Sequence, residues 1–193
     1  MLSQDDINFY LTVFRELSLT DIIDLVKLAK RRELKAGDIF IPEGSMSKRL
    51  AYVRSGLIRA YTLKANGEEV TMMLRWEKQL VASLDSVVLG KPSRFNYQAM
   101  EDTVVMEVDY HQALQIIDKS PKLSAQRQNL LLEILGQAMD RIESFVMLSP
   151  EERYLKLVKE KPNIVDRVAD KHLATLLGIT PVSLSRIRKR IVK

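Results

Sequence analysis

The sequence contains no cysteine and only two histidines, and these shortages exclude several kinds of chemistry. Without cysteine the chain cannot form a disulfide, use a thiolate nucleophile, or bind zinc or an iron–sulfur cluster through sulfur. His111 and His172 lie far apart in the sequence, so a histidine-rich metal site is not expected, although carboxylates could still contribute. We predict that the protein holds no metal and no other cofactor.

Long apolar runs and signal-like segments are also missing. No apolar run approaches the length that spans a bilayer, and the acidic start, MLSQDDINFY, lacks the basic and apolar regions of a secretion signal. The sequence has no phosphate-binding glycine loop, no nucleophile–base motif and no metal-ligand spacing. These features predict a cytoplasmic protein with no membrane partner and no catalytic residues, rather than an enzyme.

The composition is that of a globular chain with an uneven charge distribution. Hydrophobic residues make up 46% and charged residues 28% of the 193 residues, which suits one or two domains. The formal net charge is +5, and the last ten residues, LSRIRKRIVK, include no acid. An isolated basic run is usually a solvated helix face, so its meaning depends on its surroundings.

The hydrophobic pattern changes twice along the chain and predicts an α+β fold. Residues 1–35 have a helical pattern, residues 36–109 have short β-rich runs separated by turns, and the helical period returns after Tyr110. Asn66-Gly67 is a strong hairpin turn. Closely spaced short strands predict an antiparallel sandwich or roll. The predicted strands are residues 39–41, 50–53, 57–63, 69–75, 95–100 and 104–108.

A long helix is predicted from Pro121 to about residue 148. Five of its residues are spaced four-three-four-three, which is the period of a coiled-coil seam. The seam is short, so packing on the protein's own body is an open alternative to contact with a second copy. The predicted dimer residues are Leu131, Leu135, Ala138, Ile142 and Phe145.

The C-terminal stretch has the pattern of two short helices joined by a tight turn. Gly178 suits the left-handed conformation that ends a helix, and Thr180 followed by Pro181 is typical of the start of the next helix. The pattern predicts a helix-turn-helix whose second helix enters the major groove of DNA, and the alternative is a plain helical hairpin with a basic face. The inward-facing residues of the second helix would be Leu184, Ile187 and Ile191.

Most of the predicted DNA contacts lie on the outer face of that second helix, which would hold Val182, Ser183, Ser185, Arg186, Lys189 and Arg190. Arg186 can donate two hydrogen bonds to guanine, the other basic residues suit phosphates, and the serines can bond either. The predicted DNA-binding residues are Thr180, Val182, Ser183, Ser185, Arg186, Arg188, Lys189 and Arg190.

The segment ATLLGITPVSLSRIRK resembles the DNA-binding motif of the CRP/FNR transcription regulators, and SPEERY before it resembles the Bacteroidota-type branch. The β-rich region is similar to the family's cyclic-nucleotide-binding β-roll, or jelly-roll, and the long helix to its central dimerisation helix. The resemblance implies a homodimer that reads near-palindromic double-stranded DNA, with Arg186 at the base-reading position and RNA polymerase as a further candidate partner. The implied domains are a sensor at 1–119, a dimerisation helix at 120–148 and a DNA-binding domain at 149–193.

The sequence departs from the family at the effector site. Members that bind cyclic AMP have a Gly-Glu pair for the ribose and an arginine followed by serine or threonine for the phosphate. Here the pair falls on Ala82-Ser83, and the arginine position falls on Ser93, with Arg94 next. We therefore expect an unknown small-molecule effector other than cyclic AMP. The candidate effector-binding residues are Ser83, Asp85, Ser93 and Arg94.

Two functions are compatible with these patterns. The first is a DNA-binding transcription regulator with a β-roll sensor. The alternative is a nucleotide- or small-ligand-binding regulatory module that has a degenerate helix-turn-helix and acts on a protein partner. Salt-dependent binding to DNA would separate the two, and the basic final helix favours the first.

Overall fold

Two antiparallel sheets make up the first part of the protein. The computed structural model describes residue 23 and residues 27–191. Its strands are β1 (Lys30–Leu34), β2 (Ile39–Ile41), β3 (Arg49–Ser55), β4 (Ile58–Leu63), β5 (Glu69–Arg75), β6 (Leu80–Ala82), β7 (Asn96–Ala99) and β8 (Thr103–Asp109). The strand order is β1-β8-β3-β6 in the first sheet and β2-β7-β4-β5 in the second. The predicted antiparallel roll is confirmed.

The hairpin between β4 and β5 forms at the predicted turn. Gly67 has a φ of 81°, a conformation that glycine adopts without strain. The Asn66 side chain accepts a hydrogen bond from the Glu68 amide at 3.0 Å, and the Lys64 amide donates to the Glu68 carbonyl at 2.9 Å. These local bonds fix the register in which Ile58 pairs with Arg75.

The core of the roll lies between the two sheets. Alternate strand residues point inward, as Ala51 and Val53 do on β3, while Tyr52 between them is half-buried on the outer face. Phe40 and Ile41 of β2 are fully buried in the same core. The outer faces of the two sheets are therefore available to pack against helices.

The helices are α1 (Leu84–Val87), α2 (Tyr110–Ile117), α3 (Pro121–Met147), α4 (Pro150–Glu160), α5 (Ile164–Arg167), α6 (Asp170–Leu177) and α7 (Pro181–Ile191). The long helix α3 begins at Pro121 as predicted, with Ser120 as its N-cap. Ser149 and Glu152 form a complete capping box at the start of α4. Each of these starts depends on residues adjacent in sequence.

A second core joins the roll to the C-terminal helices. Leu57 and Leu74 of the roll pack in it with Ile164, Leu173 and Leu184. Because residues from the β-roll and from α5 to α7 share this core, the region after residue 148 does not form a separate hydrophobic unit. The predicted boundaries at 119 and 148 coincide with helix starts, and the packing crosses them.

Several local predictions differ from the structure. Residues 30–34, predicted as helix, form β1, because they pair with β8. The predicted helical pattern at residues 1–22 lies outside the described residues. The short elements β6, α1 and α5 were not predicted, and Ile191 is 37% exposed rather than buried. In the part of the chain that the structure describes, no helix combines the length and apolar character needed to cross a membrane.

Candidate nucleic-acid interface

The turn between α6 and α7 has the conformation of a helix-turn-helix. Gly178 ends α6 in the left-handed region, with φ 69° and ψ 33°. The Thr180 hydroxyl accepts a hydrogen bond from the Ser183 amide at 3.1 Å and also lies 3.0 Å from the Ser183 hydroxyl. Pro181 takes the first position of α7. The predicted cap is confirmed, and it leaves the Ser183 hydroxyl engaged in a local bond.

The two faces of α7 are chemically distinct. Leu184 and Ile187 are buried in the second core against α6, which fixes the helix to the protein body. Val182, Ser185, Arg186, Lys189 and Arg190 are exposed on the outer side. A basic, exposed face on a helix anchored by its apolar face is the form in which a recognition helix meets DNA.

Charge on α7 is entirely positive, but its four basic residues are not equivalent. Arg190 pairs with Glu151 at 2.6 Å and is well exposed. Arg188 pairs with Asp170 at 2.6 Å and has a side chain only 27% exposed, and its guanidinium lies 5.9 Å from the Tyr154 ring centre. Among the described residues, no ion pair involves Arg186 or Lys189. Arg188 is thus less exposed than Arg186 and Lys189, and its guanidinium is held by Asp170 of α6.

Two arginines tie the helix-turn-helix to the long helix. Arg153 donates to the Leu177 carbonyl from Nη2 at 3.0 Å, and Arg141 of α3 donates to the Leu176 carbonyl at 3.0 Å. Phe145 lies between both guanidinium groups, whose centres are 5.0 and 4.7 Å from its ring centre. Burial of the Arg141 side chain, together with Arg153, lowers the pKa of Arg141. These contacts satisfy carbonyls at the end of α6 and fix its position relative to α3.

A polar network joins α6 to the outer face of the second sheet. Arg59 of β4, only 2% exposed, donates from Nη1 to His172 Nδ1 at 2.6 Å and from Nη2 to Glu69 at 2.5 Å. His172 therefore accepts at Nδ1 and is neutral with its proton on Nε2. Burial, with Arg59 and Lys171 nearby, lowers the pKa of His172 to about 4.

A second ion-pair network also joins the C-terminal helices to the roll. Arg167 of α5 pairs with Glu77 at 2.7 Å and with Glu101 at 2.6 Å, and Lys161 pairs with Glu77 at 3.0 Å. Burial would raise the pKa of Glu77, but the hydrogen bonds from Arg167 and Lys161 outweigh it and hold the pKa at about 2. The helix-turn-helix is therefore docked on the roll by charge as well as by the second core.

The long helix presents an apolar stripe to solvent. Its large apolar residues repeat at three-four-three-four spacing and are between 57% and 74% exposed; this apolar stripe consists of Leu132, Leu135, Met139, Ile142 and Val146. Of the five predicted dimer residues, Leu131 is half-buried and the other four are exposed, although Phe145, at 41%, also packs against Arg141 and Arg153. The stripe is rotated slightly from the predicted seam and shares Leu135 and Ile142 with it.

The four candidate effector residues make local hydrogen bonds, and only the Arg94 side chain, 71% exposed, reaches solvent to a large extent. Arg94 donates to Asp85 from Nε at 2.9 Å and from its amide at 3.2 Å, and the Asp85 side chain is only 7% exposed. Ser93 donates to the Phe95 carbonyl at 2.8 Å, and Ser83 is fully buried. An anion that took the Arg94 guanidinium would leave the buried Asp85 carboxylate with the Arg94 amide but without its charged partner, which is unfavourable.

Sequence reasoning missed the residues that dock the helix-turn-helix on the roll. Arg59, His172 and Arg167 make contacts between residues 66 to 113 positions apart, for which the sequence holds no local signal. A buried arginine in an otherwise ordinary strand was the one available hint, since β4 places Arg59 between apolar neighbours.

The comparisons with known proteins agree with this architecture. Residues 31–120 match the cyclic nucleotide-binding domain family. The chain is 24% identical over 180 residues to the fumarate and nitrate reduction regulatory protein of Escherichia coli K12, an alignment that covers 86% of this chain and 70% of that protein.

Solved structures with the same fold include FixK2 from Bradyrhizobium japonicum, with a TM-score of 0.73, 16% identity and coverage of 84% of each chain. A protein from Eubacterium rectale described as belonging to the CRP/FNR family gives a TM-score of 0.71 at 18% identity, with coverage of 94% of this chain and 87% of that one. Together with the β-roll, the long helix and the helix-turn-helix, these matches show a cyclic nucleotide-binding domain in a chain that is similar over most of its length to the CRP/FNR transcription regulators and shares their fold.

Proposed function

We propose that the protein binds duplex DNA as a homodimer and that α7 of each copy enters the major groove. The observation that carries this proposal is the outer face of α7, which is exposed and basic while Leu184 and Ile187 hold the helix from behind. The position of that face on the surface leaves the helix open to a groove. Its N-terminal residues would lie nearest the base edges.

The side chains on α7 would make different kinds of contact with DNA. Arg186 is the residue proposed to read a base, because an exposed guanidinium can donate two hydrogen bonds to guanine. Lys189 and Arg190 would contact phosphates, with Arg190 first releasing Glu151. Val182 and Ser185 lie closer to the start of the helix and suit contacts with a thymine methyl group and with base or phosphate oxygens. Thr180 and Ser183 would support the cap and reach the backbone, while Arg188 would act from behind the contact face.

A second copy of the chain is the proposed occupant of the apolar stripe on α3. Three-four spacing matches the knobs-into-holes packing of two like helices, and α3 has 27 residues, about 40 Å of helix. A two-fold pair of α3 helices would present two α7 helices, which must lie about 34 Å apart to read adjacent major grooves. A dimer would thus bury the apolar stripe and place two α7 helices on one DNA duplex.

The remaining parts of the proposal concern setting and partners. We propose a cytoplasmic, non-enzymatic regulator, with RNA polymerase as a further predicted partner. The effector is not assigned to the Asp85–Arg94 pair, because the buried Asp85 carboxylate already holds the Arg94 guanidinium through Nε. Cyclic AMP is not the proposed effector.

Selection from a library of random duplexes tests the proposal. We expect enrichment of a near-palindromic sequence whose half-sites lie one helical turn apart. The affinity should fall as salt is added, and the slope of log affinity against log salt concentration should be roughly −0.9 for each phosphate contact. The matched control is a protein with Arg186 and Lys189 both changed to glutamine, since neither residue supports the fold. Binding that is absent at low salt, or unchanged in the control, would contradict the proposal and favour a module that acts on a protein partner.

A further inference from the structure

A cavity of about 400 Å³ lies between the outer face of the first sheet and helices α2 and α3. Its walls are mostly apolar and come from β3, β6, β8 and both helices; the ones that matter here are Leu50, Tyr52, Leu80, Val108, Ala113 and Leu130. The volume falls within the range of sites for small organic ligands. The cavity is separate from the Asp85–Arg94 pair, which the resemblance had indicated as the effector site.

The wall of the cavity includes one arginine. Arg127 of α3 lines the cavity, and its Nε atom is buried with no hydrogen-bond acceptor among the described residues. Its ion pair with Asp118 is long, 3.7 Å from Nη1, and leaves Nε unused. A buried N–H without an acceptor is unfavourable, so an anionic oxygen in the cavity would supply what this guanidinium lacks.

We propose that this cavity binds an amphipathic carboxylate, with the apolar body between sheet and helix and the carboxylate on Arg127. Glu133 also lines the cavity, but it lies about 9 Å further along α3, so the ligand's negative charge is favoured at the Arg127 end alone. Tyr52 contributes an aromatic wall at the sheet side, and burial raises the pKa of its hydroxyl, which stays neutral at physiological pH. The site therefore combines mostly apolar walls with the Arg127 cation, whose side chain is 39% exposed while its Nε atom is buried.

The cavity and the apolar stripe use different faces of the same helix. With about 100° between successive residues, Leu130 and Glu133 lie nearly opposite Leu135 and Met139. A ligand between the sheet and α3 would therefore act on the face behind the proposed dimer contact. This regulatory consequence rests on the proposed function, whereas the binding site itself does not.

The test measures binding of decanoate and 1-decanol to the purified full chain by equilibrium dialysis, without DNA. The two probes share an apolar body, and only decanoate carries a charge. We expect one saturable decanoate site per chain. Arg127→Gln is expected to weaken decanoate at least about tenfold while it changes 1-decanol by less than about twofold. Lys122→Gln, an exposed cation on the same helix that does not line the cavity, should alter neither affinity.

A second variant tests the location of the apolar body. Leu130→Trp should fill the space and lower the affinity for both probes, with an unchanged circular dichroism spectrum as the check on folding. If that variant does not fold, the comparison of Arg127→Gln with Lys122→Gln decides alone. The proposal is overturned if decanoate binds without saturation, or if the two glutamine variants behave alike. Because DNA is absent, failure here would leave the proposed DNA binding untouched.

Discussion

Arg186 is the residue whose loss should affect sequence recognition most. It is exposed on α7, and it makes no ion pair within the described residues that would need to be broken. Arg186→Ala should weaken binding to the selected duplex by about 1–3 kcal/mol per protomer, because a bidentate contact to guanine is lost. Titration of the selected and an unrelated duplex measures the effect as a fall in their affinity ratio.

The matched control for Arg186 is Arg31→Ala. Arg31 is another exposed arginine, on β1 and paired with Glu33, so the same change in net charge is made far from α7. Its affinity ratio should equal that of the wild type. A ratio that falls equally in both variants would indicate a charge effect alone and would contradict base reading by Arg186.

Gly178 is a residue at which both conformation and space require glycine. Its φ of 69° disfavours any side chain, and a Cβ there would lie 2.8 Å from Phe145 Cε1. Gly178→Ala should therefore lower the free energy of unfolding by more than the ~1 kcal/mol that left-handed strain costs. Chemical denaturation measures the difference.

Gly67→Ala separates the two causes in that prediction. Gly67 also has a positive φ, 81°, but a Cβ there would meet nothing within 4 Å. Its loss of stability should reflect strain alone and be smaller than that of Gly178→Ala. Equal losses would show that the contact between the turn and Phe145 contributes nothing.

At the scale of elements, α3 is the described helix with the most exposed large apolar side chains and the one proposed to pair. Leu135→Glu places a charge in the middle of the apolar stripe, where a paired helix would bury it without a partner. We expect the variant to sediment as a monomer at concentrations at which the wild type is a dimer. Sedimentation equilibrium measures the change.

Gln137→Glu provides the control on the same helix. Gln137 is exposed and lies on the side of α3 away from the stripe, so the added charge remains in solvent. This variant should remain dimeric. If Leu135→Glu also sediments as a dimer, the second copy does not pack on the stripe.

Elements defined by neighbouring residues were predictable, and those defined by distant partners were not. The Asn66-Gly67 turn and the Gly178 helix end both formed where the sequence placed them, because each needs only local bonds. In contrast, the charged segment Lys30–Leu34 is a strand because β8 pairs with it from some 70 residues away. The strand propensity of a segment carries no information about a distant strand that pairs with it.

The candidate site was likewise predictable only where its geometry depends on local sequence. The outward direction of Arg186 follows from helical period and the buried Leu184 and Ile187, so it was predictable. The half-buried position of Arg188 depends on Asp170 in another helix, and the contacts of Phe145 depend on two arginines from different elements. Contacts with other elements decide the positions of side chains whose exposure the helical period alone does not determine.

At the scale of the whole molecule, the contact between the roll and the helix-turn-helix determines where α7 lies. Two opposite faces of the roll are used: the first sheet packs on α2 and α3, and the second packs on α6. The orientation of α7 is therefore coupled to both α3 and the roll. Any condition that weakens the α6 contact should show in stability and in DNA binding together.

Protonation of His172 is such a condition. Its neutral ring accepts from Arg59 at Nδ1, so a proton added there would oppose a buried guanidinium. Among the described residues, the carboxylate that lies near enough to offset this repulsion is that of Glu69, whose pKa is itself lowered. An unfolded histidine has a pKa near 6.5, whereas burial holds the pKa of His172 at about 4. Between these values the unfolded chain binds a proton that the folded chain does not.

The free energy of unfolding should accordingly be highest above pH 6.5 and fall, by up to about 3 kcal/mol, as the pH is lowered from 6.5 to 4. His172→Gln keeps an acceptor for Arg59 but cannot titrate, so its stability should be nearly flat over that range. His111→Gln, at the exposed second histidine, should keep the wild-type slope. Urea denaturation at a series of pH values measures all three, and a slope that survives in His172→Gln would place the titrating group elsewhere; Glu77, with a pKa of about 2, loses its contribution only below pH 4.5.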